Sequence, residues 1–74
     1  MSATQFFTET ESKQEAKRIS TITNSPVYII RVHGFGFEIV PTSFELDRNY
    51  YHSNEGGKMF FDFVEVVTPI YTKQ

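Results

Sequence analysis

The stretch from Pro26 to Pro41, PVYIIRVHGFGFEIVP, constrains the fold most, because two apolar runs flank a glycine-punctuated turn and a proline stands at each end. That pattern predicts a β-hairpin. Proline cannot donate to a ladder, so the two prolines mark the limits of pairing. Side chains alternate along a strand, which puts Tyr28, Ile30 and Val32 on one side and Val27, Ile29 and Arg31 on the other. A two-residue turn at His33-Gly34 sets Val32 opposite Phe35, Ile30 opposite Phe37 and Tyr28 opposite Ile39, and one face becomes wholly apolar. The opposite face then carries Val27, Ile29, Arg31, Gly36, Glu38 and Val40, with Arg31 and Glu38 in reach of a diagonal ion pair. A four-residue loop from His33 to Gly36 keeps this parity. A three-residue loop would carry Glu38 to the apolar side and is rejected on that ground.

Upstream, Thr8 with Glu11 and Ser12 with Glu15 both fit a Ser/Thr-x-x-Glu capping box, and Thr8 is favoured because Phe7 before it supplies a hydrophobic staple. A helix is predicted from about Glu9 to Thr21, with Glu9 and Glu11 early, Lys17 and Arg18 late, and Glu9 four residues ahead of Lys13. Its apolar stripe of Ala16, Ile19 and Ile22, with Ser12 and Ser20 alongside, suffices to cover one face of a sheet. Asn24, Ser25 and Pro26 end it. Downstream, Phe44 and Leu46 suggest a short extended piece and Asp47-Arg48-Asn49 a turn. Residues 50–52 and 58–67 flank the glycine-containing connection Ser53 to Gly57 and predict a second hairpin. The apolar phase of its last strand breaks, which predicts a bulge near Phe63. The whole is an α+β domain, with an N-terminal helix packed on an antiparallel sheet of about four strands in the order helix, hairpin, hairpin. Residues 1–74 make one domain, frayed over about 1–5 and 70–74.

At 74 residues the chain forms one small domain, and such a domain buries only about 60% of its unfolded surface. It has no cysteine to staple the fold. The absence of cysteine, of a long apolar run and of a basic, apolar leader in MSATQFFTETE predicts a soluble, cytoplasmic protein without membrane attachment. The net charge of -2, with interspersed signs, offers no field for duplex DNA. His33 and His52, near carboxylates such as Asp47 and Glu55, lack ligand spacing and read as turn residues, so no metal is expected. Gly56-Gly57-Lys58 lacks the strand, spacing and helix of a phosphate loop. No nucleophile or paired-carboxylate pattern is present. The chain is therefore expected not to be an enzyme, and to need no cofactor or small-molecule substrate.

Aromatic residues make up 16% of the chain, eight phenylalanines and four tyrosines with no tryptophan. Adjacent rings on a strand point to opposite faces, so a thin sheet cannot bury them all. This predicts a protein-interaction module that presents a face or its last strand to a partner or to a second copy in a homodimer. Tyr50, Tyr51, Phe60 and Tyr71 are the expected anchors. In character the chain is similar to viral or accessory proteins that bind and modulate a larger host complex. A second expectation comes from the hairpin. His33 to Val40 resembles the RNP1 octamer of RNA-recognition-motif domains, and Val27 to Val32 resembles their RNP2 hexamer. The resemblance implies base stacking by Tyr28, Phe35 and Phe37. It covers fourteen residues, with His33 at the place of the usual Arg or Lys, Glu38 beside the phosphate path, and the two motifs contiguous instead of separated by a helix and a strand. A single-stranded nucleic-acid binder would use those rings, or Tyr50 and Tyr51, with Arg31, Arg48 and Lys58 on phosphates. The apolar face that carries Tyr28, Phe35 and Phe37 is nonetheless the natural seat of the helix.

Overall fold

The computed structural model describes residues 5–70, which form α1 (Glu9–Thr23), β1 (Val27–Val32), β2 (Gly36–Pro41), β3 (Tyr50–His52) and β4 (Lys58–Val67). The fold is α+β: one N-terminal helix lies on a four-stranded antiparallel sheet of order β2-β1-β4-β3. Both predicted hairpins are present, and they join through β1 and β4. This order obliges the chain to travel from one edge of the sheet to the other between β2 and β3. Residues 42–49 make that crossing over the face away from α1, where Phe44 and Leu46 pack on Ile30, Val32, Val40 and Phe61. The short extended piece expected at Phe44 and Leu46 is therefore not a strand; the two side chains are plugs on a crossing loop.

α1 begins as its sequence predicts. The Thr8 hydroxyl accepts from the Glu11 N–H at 3.2 Å, and the Glu11 carboxylate accepts from the Thr8 N–H at 3.0 Å, which satisfies two of the helix's first donors. Asn24 closes it in the left-handed region at φ 54°. The buried stripe differs from expectation, because Ser12, Ala16 and Ser20 face the sheet while Ile22 is 69% exposed. Four-residue spacing aligns the three small residues, and from there Ile22 points away. Each buried hydroxyl finds a carbonyl: Ser12 donates to Glu9 at 2.7 Å, and Ser20 to Ser25 at 2.7 Å. Small residues let the helix lie close on Val27, Ile29 and Val67, with Phe37 and Ile39 packed alongside.

The first hairpin closes with the three-residue loop that parity had rejected, since β1 ends at Val32 and β2 begins at Gly36. The register pairs Val32 with Gly36, Ile30 with Glu38 and Tyr28 with Val40. Gly34 at φ 84° permits a β-turn in which the Phe35 N–H donates to the Val32 carbonyl at 3.1 Å. Glu38 consequently shares a face with Ile30 and Val32, and Phe37 and Ile39 pass beneath the helix. The expected face of Tyr28, Phe35 and Phe37 does not exist: Tyr28 lies away from the helix, Phe37 lies under it and Phe35 is in the loop. Arg31 pairs with Asp62 at 2.9 Å instead of with Glu38. The charge that argued against this register is met by a distant partner, because the Tyr51 hydroxyl donates to the Glu38 carboxylate at 2.7 Å.

The bulge expected near Phe63 is present. Ile29 pairs with Glu65 and Ile30 with Phe63, so Val64 is the extra residue on β4. The buried phase switches there: Val64 and Val67 pack on the helix side, while Phe61 belongs to the cluster on the other face. Two small cores result, one under α1 and one under the crossing loop.

Candidate functional site

Each cover is shorter than the face it lies on, so among the described residues one end of each face is uncovered. On the helix side the uncovered end lies towards the hairpin tips. Cross-strand partners share a face, and the pairs Arg31↔Asp62, Tyr50↔Phe60 and His52↔Lys58 set these six residues side by side across β1, β4 and β3. Asp62 accepts from Arg31 at 2.9 Å and meets His33 Nε2 at 2.8 Å. The Arg31 guanidinium, and after it the His33 imidazole, hold the Asp62 carboxyl below the usual carboxylate range. The Tyr50 ring lies 5.9 Å from Phe60 and 5.7 Å from His52 between centroids, and Lys58 Nζ stands 4.4 Å from the Tyr50 centroid. Phe60 is 45% exposed. Beside Arg31 and His33 a shallow cleft of about 370 Å³ runs along Gly34, Gly36 and Phe37.

On the other side the crossing loop covers Ile30, Val32 and Phe61 but stops short of Tyr28, Phe63 and Val66. Phe63 is 49% and Val66 48% exposed, and the Tyr28 ring meets Phe63 edge-on at 5.7 Å. This apolar end adjoins a free strand edge. Phe37 exchanges both of its backbone hydrogen bonds with Phe7, outside the sheet. The alternation of an antiparallel ladder then directs Ile29 and Arg31 of β1 towards β4, and leaves Phe63 and Val66 with N–H and C=O groups turned outward. β3 is only three residues long and pairs with Lys58, Met59 and Phe60. The Phe61 N–H still reaches the Asn49 carbonyl at 3.0 Å, but among the described residues no strand pairs with β4 beyond that point. The β2 edge is blunted by contrast, since Phe7 bridges Phe37, Pro41 has no N–H, and the Pro41 carbonyl accepts from Phe44.

The sequence-predicted residues therefore divide. Tyr50, Phe60, Arg31 and Lys58 come together on the helix side. Tyr51 lies on the opposite face, half-buried against Phe44 and Phe61 and bonded to Glu38. Burial pushes the Glu38 carboxyl up, and burial together with Glu38 pushes the Tyr51 hydroxyl up. Arg48 pairs with Glu45 at 3.5 Å near His52. Phe35 is 62% exposed and stacks on Phe6 at 5.2 Å. Tyr71 lies outside the described residues. Sequence reasoning missed Phe63 and Val66 as surface residues, although the phase break at the bulge was the signal that separates them from the core. Among the described residues no group of three metal-ligating side chains converges, and no helix is long and apolar enough to cross a membrane. No protein-family model, curated protein or solved structure matches the chain.

Proposed function

We propose that this chain is a non-enzymatic protein-interaction module that takes an extended segment of a partner along the free edge of β4. The observation that carries the reading is the coincidence of two unmet needs at one place: outward backbone groups at Phe63 and Val66, and exposed side chains of the same two residues beside Tyr28. Strand addition satisfies both, since main-chain hydrogen bonds supply affinity while alternate side chains of the added strand cover the apolar end. A partner segment with apolar residues at every second position fits. The bulge and the short free length limit how much strand can be added, which suits an accessory that binds reversibly.

A tagged pull-down, split into nuclease-treated and untreated halves, tests the reading on three variants. Phe63→Ser removes the exposed ring. Val66→Pro removes an outward N–H that makes no bond to β1. Tyr50→Ala alters the other face. The expected result is a protein that survives nuclease, is lost from the first two variants by about tenfold or more, and is retained by the third. Equal capture by all three, or loss of the captured protein with nuclease, refutes it.

A further inference from the structure

The helix-side strip carries a second site, independent of the β4 edge. Its charge is opposite in sign to that of the molecule: with the histidines neutral the chain as a whole is -2, whereas here the two cations Arg31 and Lys58 stand against the single carboxylate of Asp62, which Arg31 meets at 2.9 Å. Between these groups lie the Tyr50 and Phe60 rings, presented by the flat surface of paired strands. Phe60 is exposed and Tyr50 half-buried, with Lys58 over the Tyr50 ring and Arg31 beside Asp62 on the same strip. Rings that offer stacking faces, set among cations that track a backbone, are the two elements of a surface for single strands. A duplex is a poor fit, because its bases are already stacked and its charge density needs more cations than these. Strands lie about 4.8 Å apart and residues about 3.3 Å, so a strip over β1, β4 and β3 is about 10 Å wide and holds about two or three unstacked bases.

We propose that the uncovered end of the helix-bearing face binds single-stranded nucleic acid, with Tyr50 and Phe60 stacking on bases and Arg31 and Lys58 meeting phosphates. Lys58 leaves the Tyr50 ring as a base arrives and moves to the strand's backbone. The contact is weak and its salt dependence shallow, because two cations give a slope of log K against log salt of about -1.4 for single strands.

Fluorescence anisotropy of a labelled ten-nucleotide oligouridylate at low salt tests this, with a duplex of equal length and a polyglutamate peptide as comparisons. The oligouridylate is expected to bind, the duplex and the peptide at least tenfold more weakly. Phe60→Ala should weaken binding by about tenfold, and Lys58→Ala should make the salt slope shallower by about 0.7. Phe63→Ser should bind as the wild type does, which separates this site from the β4 edge, and far-UV circular dichroism confirms that each variant is folded. Absence of oligouridylate binding, equal binding of polyglutamate, or unchanged affinity in a folded Phe60→Ala overturns the proposal.

Discussion

Replacing Gly36 by alanine should damage this fold far more than the same change at Gly34, two positions earlier in one hairpin. Both glycines have positive φ, at 84° for Gly34 and 134° for Gly36. At Gly34 a new Cβ would meet nothing within 4 Å, so only the left-handed backbone penalty applies, about 1 to 2 kcal/mol. At Gly36 the backbone lies outside the left-handed helical basin, where a side chain stores about 1 to 3 kcal/mol. There the Cβ would also stand 3.0 Å from the Phe7 carbonyl oxygen. That oxygen is backbone and cannot swing aside, so relief means moving the bridge in which Phe7 and Phe37 exchange hydrogen bonds at 2.7 and 2.9 Å. Two bonds at about 1 kcal/mol each bring the total for Gly36→Ala to about 3 to 5 kcal/mol. A domain of this length has about 4 to 11 kcal/mol in all, so the variant sits near the edge of folding. Urea denaturation followed by circular dichroism gives both differences, and amide exchange at Phe7 and Phe37 reports the bridge directly. If Gly36→Ala costs no more than Gly34→Ala, or if both amides stay as protected as in the wild type, the account of the N-terminal bridge is wrong.

Glu38→Gln should stabilise the protein at neutral pH. Burial raises the Glu38 carboxyl in the folded state, so the wild type carries no penalty below the ordinary glutamate value near about 4.3 and acquires one as pH rises through the folded value; the gap between variant and wild type should therefore open on going from pH 4 to 7, and a constant gap refutes the cause. Asp62→Asn should behave oppositely, because its carboxyl is lowered: its destabilisation is present at neutral pH, shrinks as pH falls below the ordinary aspartate value near about 3.9, and is weakened by salt, as thermal melts across pH will read. Phe44→Ala should remove the main plug of the crossing loop, which meets Tyr51 at 5.5 Å and Phe61 at 5.2 Å. A half-buried ring makes the loss about 2 to 3 kcal/mol, below the full range for a core phenylalanine, and a dye that fluoresces on apolar surface should bind the opened face.

What was legible in the sequence was local. Thr8 and Glu11 cap each other within one turn, Asn24 needs only its own backbone, and the second hairpin is announced by its glycines and flanking rings. The bulge at Val64 was visible as a break in phase, because a period of two cannot skip a residue without one. Strand order was not legible, since nothing in β2 or β3 states which edge it will occupy. The grouping of site residues followed from that order: Tyr50 and Tyr51 read as a pair of anchors, yet adjacent strand residues face opposite ways, and β3 spends Tyr51 on Glu38 while Tyr50 joins Phe60. Arg31 and Lys58 lie 27 positions apart in the chain and meet on one strip only because β4 lies between β1 and β3.

The hairpin parity failed for a different reason. The rule that a charged residue avoids the apolar side assumes one buried face and one solvated face. Here both faces are covered, one by α1 and the other by the loop over 42–49, so no register sends Glu38 fully to water. Under the helix Glu38 would displace Phe37 or Ile39 from the floor on which Ala16 and Ile19 rest. On the other face it meets Tyr51, which no reading of the hairpin alone could supply. Covering two faces with one 15-residue helix and one short loop also means that neither cover reaches the end of the sheet. The helix stops short of Arg31 and Phe60; the loop stops short of Tyr28 and Val66. Among the described residues one helix and one short loop leave an end of each sheet face uncovered, and the two proposed binding surfaces are those two ends.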